Sequence, residues 1–391
     1  MTKKEKKALF VIFLIVATEL IGFGLIIPVL PQLALQFQTG SFYLALLMGA
    51  YSLAQFFAAP YLGHLSDKLG RKPVLLASKI GTVLSYVILA FAQNYWWFLI
   101  ARLLDGFTGG NISVARATIA DITSAKNRSK GMAIIGISFG LGFVFGPALG
   151  GILYTDAFGH RIPALVAGSL SLVACVLTKL MLEEPEKHKE YEAKPSLVSA
   201  LRTFSKRPII AIFGTYFFYM IIFSGFETSF ALFTFHIFGL STKQNSLLFM
   251  YAGVLSLLIQ GSMTRYTPKN LKRTTSIGLV ITAISFLCYA GTQNIISLLL
   301  FMGLMCLGIG LVNVFLPSLL SVYGQSQRQG TLMGVYESIG SLSRILGPFA
   351  AYSFILFLPR EGYFSFGVVL FIVAALFSTL TPNRDSGEKA A

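Results

Sequence analysis

The sequence predicts an all-α integral membrane protein, with twelve transmembrane helices in two pseudo-symmetric six-helix bundles. Three observations carry that prediction. The chain is too apolar for a soluble globule, with 55% hydrophobic and only 12% charged residues where about 25% charged is usual. Its apolar residues gather into twelve stretches of about the 20 residues that a bilayer span needs. Its first half is also echoed, weakly but at offsets that agree to within one helical turn, by its second.

The stretches cover approximately 8–31, 41–62, 74–92, 96–120, 130–154, 162–182, 208–235, 244–264, 274–291, 295–320, 330–357 and 362–381. The first follows the basic run MTKKEKK, but its apolar length exceeds the roughly 7 to 15 residues of a secretory h-region and no A-x-A site follows, so it counts as a span. Of 31 Lys and Arg, 23 fall in loops on the N-terminal side, whereas the opposite loops hold only Arg161, Lys243 and Arg360. That asymmetry puts both termini in the cytoplasm. The net charge of +15 therefore reads as topology, and no nucleic-acid partner is expected. Cys175, Cys288 and Cys306 fall within spans, where small buried side chains without a disulfide are expected.

Between the sixth and seventh spans runs EEPEKHKEYEAKPSLVSALRTFSKRP, the longest polar segment. It divides the chain into a bundle over 1–183, a cytoplasmic linker over 184–207 and a second bundle over 208–391. GHLSDKLGRKPVLLAS at Gly63 is answered by GSMTRYTPKNLKRTTS at Gly261, and GPALGG at Gly146 by GPFAAY at Gly347, at offsets of 198 and 201 residues. Parallel six-helix repeats are a transporter plan, with the substrate site between the halves near the midplane.

The fifth span reads GISFGLGFVFGPALGG. Gly142, Gly146 and Gly150 recur every four residues, followed by Gly151, a spacing that lets another helix backbone come close. Pro147 crowds the carbonyl of Phe143 and bends the helix. Such a helix can rock against a partner, expected to be the eleventh span with Gly347 and Pro348, or can serve static tight packing.

Here the chain resembles a known family. GHLSDKLGRK between the second and third spans is similar to the cytoplasmic loop signature G-x-x-x-D-x-x-G-R-[KR] of the major facilitator superfamily. In that family the loop network locks the outward-open state. The resemblance carries this gating role to Gly63, Asp67, Gly70, Arg71, Lys72 and Asp121, with Asp121 of IADI as the partner expected for Arg71. FLIARLLDGFTGG resembles the R-x-x-x-G signature of the proton-coupling region, and the fifth span resembles the G-x-x-x-G-P-x-x-G-G signature of antiporters. TELIGFGLIIPVLP in the first span is similar to the pattern of tetracycline and multidrug efflux pumps in the drug:proton antiporter group. One departure stands out. Tetracycline pumps carry an aspartate in the third span where TVLSYVILA has Ser85, and this chain adds Lys79, Asp105 and Arg116, which sets tetracycline aside as the expected substrate.

Ionisable groups at membrane depth cost about 2.5–3.5 kcal/mol each on insertion scales and face a partner or a wet cavity. Glu19 lies roughly 17 Å into the first span, at the midplane. It is the expected proton carrier, with a permanent Glu–Arg pair as the alternative. Arg102 and Asp105 are three apart on the fourth span and can face each other, as a switch or as an inert pair; Asn111 and Arg116 continue that span as candidate substrate contacts. Arg116, Lys79 and Lys179 are near cytoplasmic ends, where snorkelling is expected. In the second half Tyr219, Glu227, Asn313, Glu337 and Arg344 are candidate substrate contacts, Glu337 and Arg344 being seven apart on one face. Phe217, Phe218, Tyr219, Phe223 and Phe226 make an aromatic segment beside Glu227, suited to stacking on a flat ligand.

No nucleotide-binding loop, H-E-x-x-H, G-x-S-x-G or paired Cys/His cluster appears, so neither an enzyme, a cofactor nor a metal site is expected. The reading is a proton-coupled secondary antiporter exporting a small amphipathic organic compound by alternating access, with proton-linked transport of a polar metabolite (a sugar, siderophore or amino-acid derivative) as the alternative. Its expected partners are the substrate, protons and the lipid bilayer, with the chain as a monomer in a bacterial inner membrane.

Overall fold

In a computed structural model of the protein the described residues are 3–26, 41–124, 127–153, 158–185, 207–240, 242–265, 268–324, 329–355 and 359–382. Their regular elements are helices: α1 Lys3–Ile26, α2 Ser41–Leu69, α3 Arg71–Ala90, α4 Tyr95–Gly109, α5 Asn111–Ile122, α6 Arg128–Leu153, α7 Arg161–Met181, α8 Arg207–Phe238, α9 Thr242–Met263, α10 Leu271–Ala290, α11 Ile295–Tyr323, α12 Gln329–Ile355 and α13 Pro359–Leu380. Each of the twelve apolar stretches is thus helical over most of its described residues, and eight helices among the described residues are long and apolar enough to cross a membrane. The end of the first stretch, almost all of the 184–207 linker and the tail after Pro382 lie outside the described residues.

The fourth stretch departs from expectation. It is two helices, α4 and α5, meeting at Gly110. The cause is close packing: a Cβ at Gly109 would collide with the Tyr51 ring, and one at Gly110 would stand 3.1 Å from the Ala59 backbone nitrogen. Both neighbours lie on α2, so the two glycines bring the α4–α5 junction onto that helix. Gln55 Nε2 then donates to the Gly109 carbonyl at 2.9 Å, which satisfies a backbone acceptor freed at the break.

Two compact units emerge from the packing. One gathers Met1–Ser124, Ile137–Thr203 and Gln325–Ser338; the other gathers Ala125–Gly136, Phe204–Gly324 and Ile339–Ala391. Within the first, α3 lies against α4 and α7, α1 against α7, and α2 against α4. The second repeats the pattern, with α10 against α11 and α13, α8 against α13, and α9 against α11. Helix starts repeat too. Asn94 caps α4 by accepting from the Trp97 N–H, and Asn294 caps α11 by accepting from the Ser297 N–H, an offset of 200 residues that agrees with the offsets of the sequence echoes.

The glycine run of α6 packs on α1, which corrects the expectation that its partner would be the eleventh span. A Cβ at Gly142 would stand 2.7 Å from Leu20 Cβ, and one at Gly146 would stand 2.6 Å from the Cα of Gly24. Gly347 does the same in the second unit, meeting the Ile221 carbonyl and Gly225 of α8. Each run therefore lets a helix approach the first helix of its own bundle backbone to backbone. Gly150 is buried in α6; Pro147 and Gly151 share that helix, their side chains lying outside what is described, and Pro348 sits inside α12.

Gly146→Leu is expected to overpack the α1–α6 contact, a class of change that costs about 1–3 kcal/mol, and to lower the thermal unfolding midpoint in detergent. Gly214→Ala and Gly261→Ala face open space and are expected to leave the midpoint unchanged or raise it. Equal behaviour of all three variants would refute the packing role.

Candidate functional site

The first unit buries two ion pairs side by side. Lys79 Nζ on α3 lies 2.7 Å from Glu19 Oε2 on α1, the two side chains being 0% and 1% exposed. Asn111 Nδ2, the first residue of α5, donates to the same Glu19 oxygen at 3.2 Å, and Lys79 also donates to Thr18 Oγ1 at 3.3 Å. Arg102 Nη1 pairs with Asp105 Oδ2 at 3.0 Å along α4. Its guanidinium lies over the rings of Phe23 and Tyr51 at 5.3 and 4.9 Å, a cation–π contact on both. Ser85 Oγ donates to Asp105 Oδ1 at 3.5 Å. The pairs are not independent, because Asp105 feels the charges of Glu19 and Lys79 as well as that of Arg102.

Lys79 overturns the snorkelling expectation. Eight residues past the start of α3 it has climbed roughly 12 Å, too deep for its head to reach water, and it takes the place beside Glu19 that the sequence suggested for an arginine. Arg116 does not snorkel either. Its Nη1 lies 2.9 Å from Glu337 Oε2, the side chains being 8% and 1% exposed, and its guanidinium is 5.1 Å from the centroid of the Tyr336 ring. Glu337 is thus a partner of Arg116. Lys179 is exposed, as a snorkelling side chain should be.

The loop signature builds a second centre. Arg71 Nη1 reaches Asp67 Oδ1 and its Nε reaches Asp121 Oδ2, both at 2.7 Å, so the expected Arg71–Asp121 pair forms. Asp67 also holds the start of α12. It accepts from Gly330 N at 2.9 Å, Thr331 N at 2.8 Å and Thr331 Oγ1 at 2.7 Å. A carboxylate on the free N–H groups of a helix N-terminus is favoured by both hydrogen bonding and the helix dipole. Gly63 is required by proximity, since a Cβ there would collide with the Gly330 carbonyl. Gly70 has φ of 107°, which favours glycine, and a Cβ on it would meet the Glu184 carboxylate.

Sequence reasoning missed Glu184 in this centre. Its two oxygens accept from the N–H groups of Arg71 and Lys72 at 2.5 and 2.9 Å, capping α3 from a position 113 residues away along the chain. No local pattern announces such a cap. Gly330 and Gly334 were missed as well, although their four-residue spacing was visible; Gly334 packs on the Ala59–Pro60 backbone.

In the second unit Tyr219 donates from its hydroxyl to Asn313 Oδ1 at 3.2 Å and stacks on Phe223 with ring centroids 6.3 Å apart. Glu227 lies within the field of Arg344, whose Nη2 donates to Ser341 Oγ at 2.9 Å. Phe226 does not join them in a ligand-stacking face. Its ring packs among Phe230, Phe286, Tyr289 and Tyr363, while Phe218 is exposed on the outer surface.

Residues 12–348 match the family described as Major Facilitator Superfamily. The chain is 31% identical to the tetracycline resistance protein, class H, of Pasteurella multocida, over 88% of this chain and 87% of that one. It is 28% identical to major facilitator superfamily domain-containing protein 10 of Mus musculus, over 89% and 87%. Its fold is similar to the crystal structure of the human organic anion transporter MFSD10 (TETRAN), with a TM-score of 0.85 and 26% identity over 96% of this chain and 100% of that one. These likenesses bear out the all-α membrane fold of twelve transmembrane helices.

Lys79→Met leaves Glu19 buried without its cation, a change that costs about 3–5 kcal/mol where one partner of a buried pair is removed. The double variant Lys79→Met/Glu19→Gln is expected to recover most of that loss in a thermal-shift assay. Additive losses would show that the two side chains are not a pair.

Proposed function

Because the chain belongs to the major facilitator superfamily, whose members are transporters, we propose that it is a proton-coupled secondary antiporter that exports a small amphipathic organic compound by alternating access. The observation that carries this reading is the buried cluster of Glu19, Lys79, Arg102 and Asp105, in which each carboxylate is held by one cation. The cluster is neutral as it stands. Arginine stays protonated in proteins, so a proton taken up by Glu19 or Asp105 frees a cation to find a new partner, and that exchange is the switch. A cationic group on the substrate competes with the proton for the same carboxylate, and the two affinities are linked reciprocally.

The remaining residues take roles around this exchange. Asn111 steadies Glu19; Arg116, Tyr219, Glu227, Asn313, Glu337 and Arg344 contact substrate; and Gly63, Asp67, Gly70, Arg71, Lys72 and Asp121 gate the cytoplasmic side. Gly142, Gly146, Pro147, Gly150, Gly151, Gly347 and Pro348 form the hinges about which halves 1–183 and 208–391 rock, joined by the 184–207 linker. The charge asymmetry of the loops supports cytoplasmic termini, and a bacterial plasma membrane is the proposed home of the monomeric chain. A polar metabolite is the second reading, favoured by the Tyr219–Asn313 hydrogen bond and by Arg344 at the Glu227 site.

In liposomes carrying an internal pH dye, tetracycline, a cationic dye and an aromatic carboxylate are expected to separate these readings, with proton flux evoked by lipophilic compounds. Glu19→Gln is expected to abolish flux and accumulation while leaving exchange of labelled substrate at equal pH. Accumulation against a gradient by Glu19→Gln would sink the assignment of the proton to that residue, and flux evoked only by sugars or amino-acid derivatives would favour the second reading.

A further inference from the structure

One tyrosine beside the charged cluster, its ring in the apolar core with Leu25, Leu47 and Phe98, is used by neither ion pair. Tyr86 follows Ser85 on α3; its side chain is 1% exposed and its hydroxyl has no hydrogen-bond partner among the described residues. Glycines make the room it occupies. A Cβ at Gly22 of α1 would stand 2.6 Å from the Tyr86 hydroxyl oxygen, and one at Gly168 of α7 would stand 3.3 Å from Tyr86 Cβ. Gly22 is three residues beyond Glu19, so the hydroxyl rests on the α1 backbone one turn from the Glu19 position. The ionisable groups that act on it are Asp105 and Arg102 of α4, Glu19 of α1 and Tyr51 of α2; on its own helix Lys79 is bound to Glu19, and α7 meets it through Gly168.

A phenylalanine would fill the same space without stranding a buried hydroxyl, which is an unfavourable arrangement. With each carboxylate occupied by a cation, as here, the hydroxyl has nothing to do. Its partners therefore belong to another protonation state of the cluster. A phenol both donates and accepts; a protonated Glu19 is a new donor nearby, and ionised Asp105 is an acceptor.

Resting on the proton-coupling reading above, we propose that Tyr86 relays a proton between Glu19 and Asp105. The Glu19 O–H bond breaks as its proton bonds to the Tyr86 oxygen, and the phenolic O–H bond breaks as that proton bonds to Asp105. Tyr86 ends neutral, and one positive charge has moved from Glu19 to Asp105. Lys79 is then free to return to Glu19, while Arg102 is released from Asp105.

The test is time-resolved infrared spectroscopy of the full-length protein in liposomes after a downward pH jump, with the protonated-carboxyl bands assigned by their loss in Glu19→Gln and Asp105→Asn. In the wild type the Glu19 band is expected to appear first and to decay as the Asp105 band rises, since one proton passes between them. In Tyr86→Phe the Asp105 band is expected to rise about a hundredfold or more later than that of Glu19, the range that a positioned proton donor and acceptor contributes. Should Tyr86→Phe fail to fold, Gly22→Ala displaces the hydroxyl and is expected to give the same lag. An Asp105 band that rises at the wild-type rate in the variant overturns the relay, as does an Asp105 band that never appears in the wild type. No substrate enters this measurement, so a lag seen in a protein whose liposomes show no substrate-evoked proton flux supports the relay while removing the antiport reading.

Discussion

The constraint on which the structure depends is that charge does not stay unpaired in hydrocarbon. Among the described residues of the first unit, Lys79 stands on Glu19, Arg102 on Asp105, Arg116 on Glu337, and Arg71 on Asp67 and Asp121. These pairs fix which helix faces meet. Lys79 turns α3 toward α1, and Arg116 turns α5 toward the start of α12. Apolar residues of the same volume would hold such faces together as well or better. The retention of so many charges therefore argues for a use that needs them to change partners.

The glycine contacts supply the complementary property. At Gly146 against Gly24 and at Gly347 against Gly225 backbone meets backbone, and the polar side chains that cross these contacts, Ser138 to the Phe13 carbonyl, Ser224 to the Arg344 carbonyl and Ser343 to the Phe217 carbonyl, are short. Ion pairs differ in being discrete, since a guanidinium is on one carboxylate or on another. A fold that combines smooth backbone contacts with discrete charge pairs has the ingredients of a two-state element, which is what coupling between distant events requires.

How much of this was legible in the sequence followed the range of the physics involved. Hydropathy and loop charge are properties of contiguous residues, and they located all twelve spans. The Arg102–Asp105 pair was legible because its members are three apart on one helix, and Arg71–Asp121 because the loop signature named Arg71 and the resemblance to the family supplied Asp121 of IADI as its partner. Lys79 was misread because its depth depends on where α3 begins and its partner lies 60 residues away. Glu184 at the start of α3 was invisible for the same reason. The break at Gly110 was written in the local pair Gly109–Gly110, but its cause is Tyr51 and Ala59 on α2, so only the packed structure tells a break from a flexible helix.

Charge bookkeeping also bears on the two kinds of relative. One relative is a tetracycline resistance protein and another is described as an organic anion transporter. A neutral cluster of two acids and two bases becomes positive by one when it takes up a proton. In that state it repels a cation and attracts an anion, and after losing the proton it does neither. The same cluster would therefore set proton against substrate for a cationic compound and draw them together for an anionic one. Under the proposed mechanism, the sign of the substrate is chosen by the groups that contact it, of which Glu227 and Arg344 in the second unit supply one charge of each kind. Separating the residues that hold the proton from those that choose the substrate would let one chemical switch serve compounds of either charge.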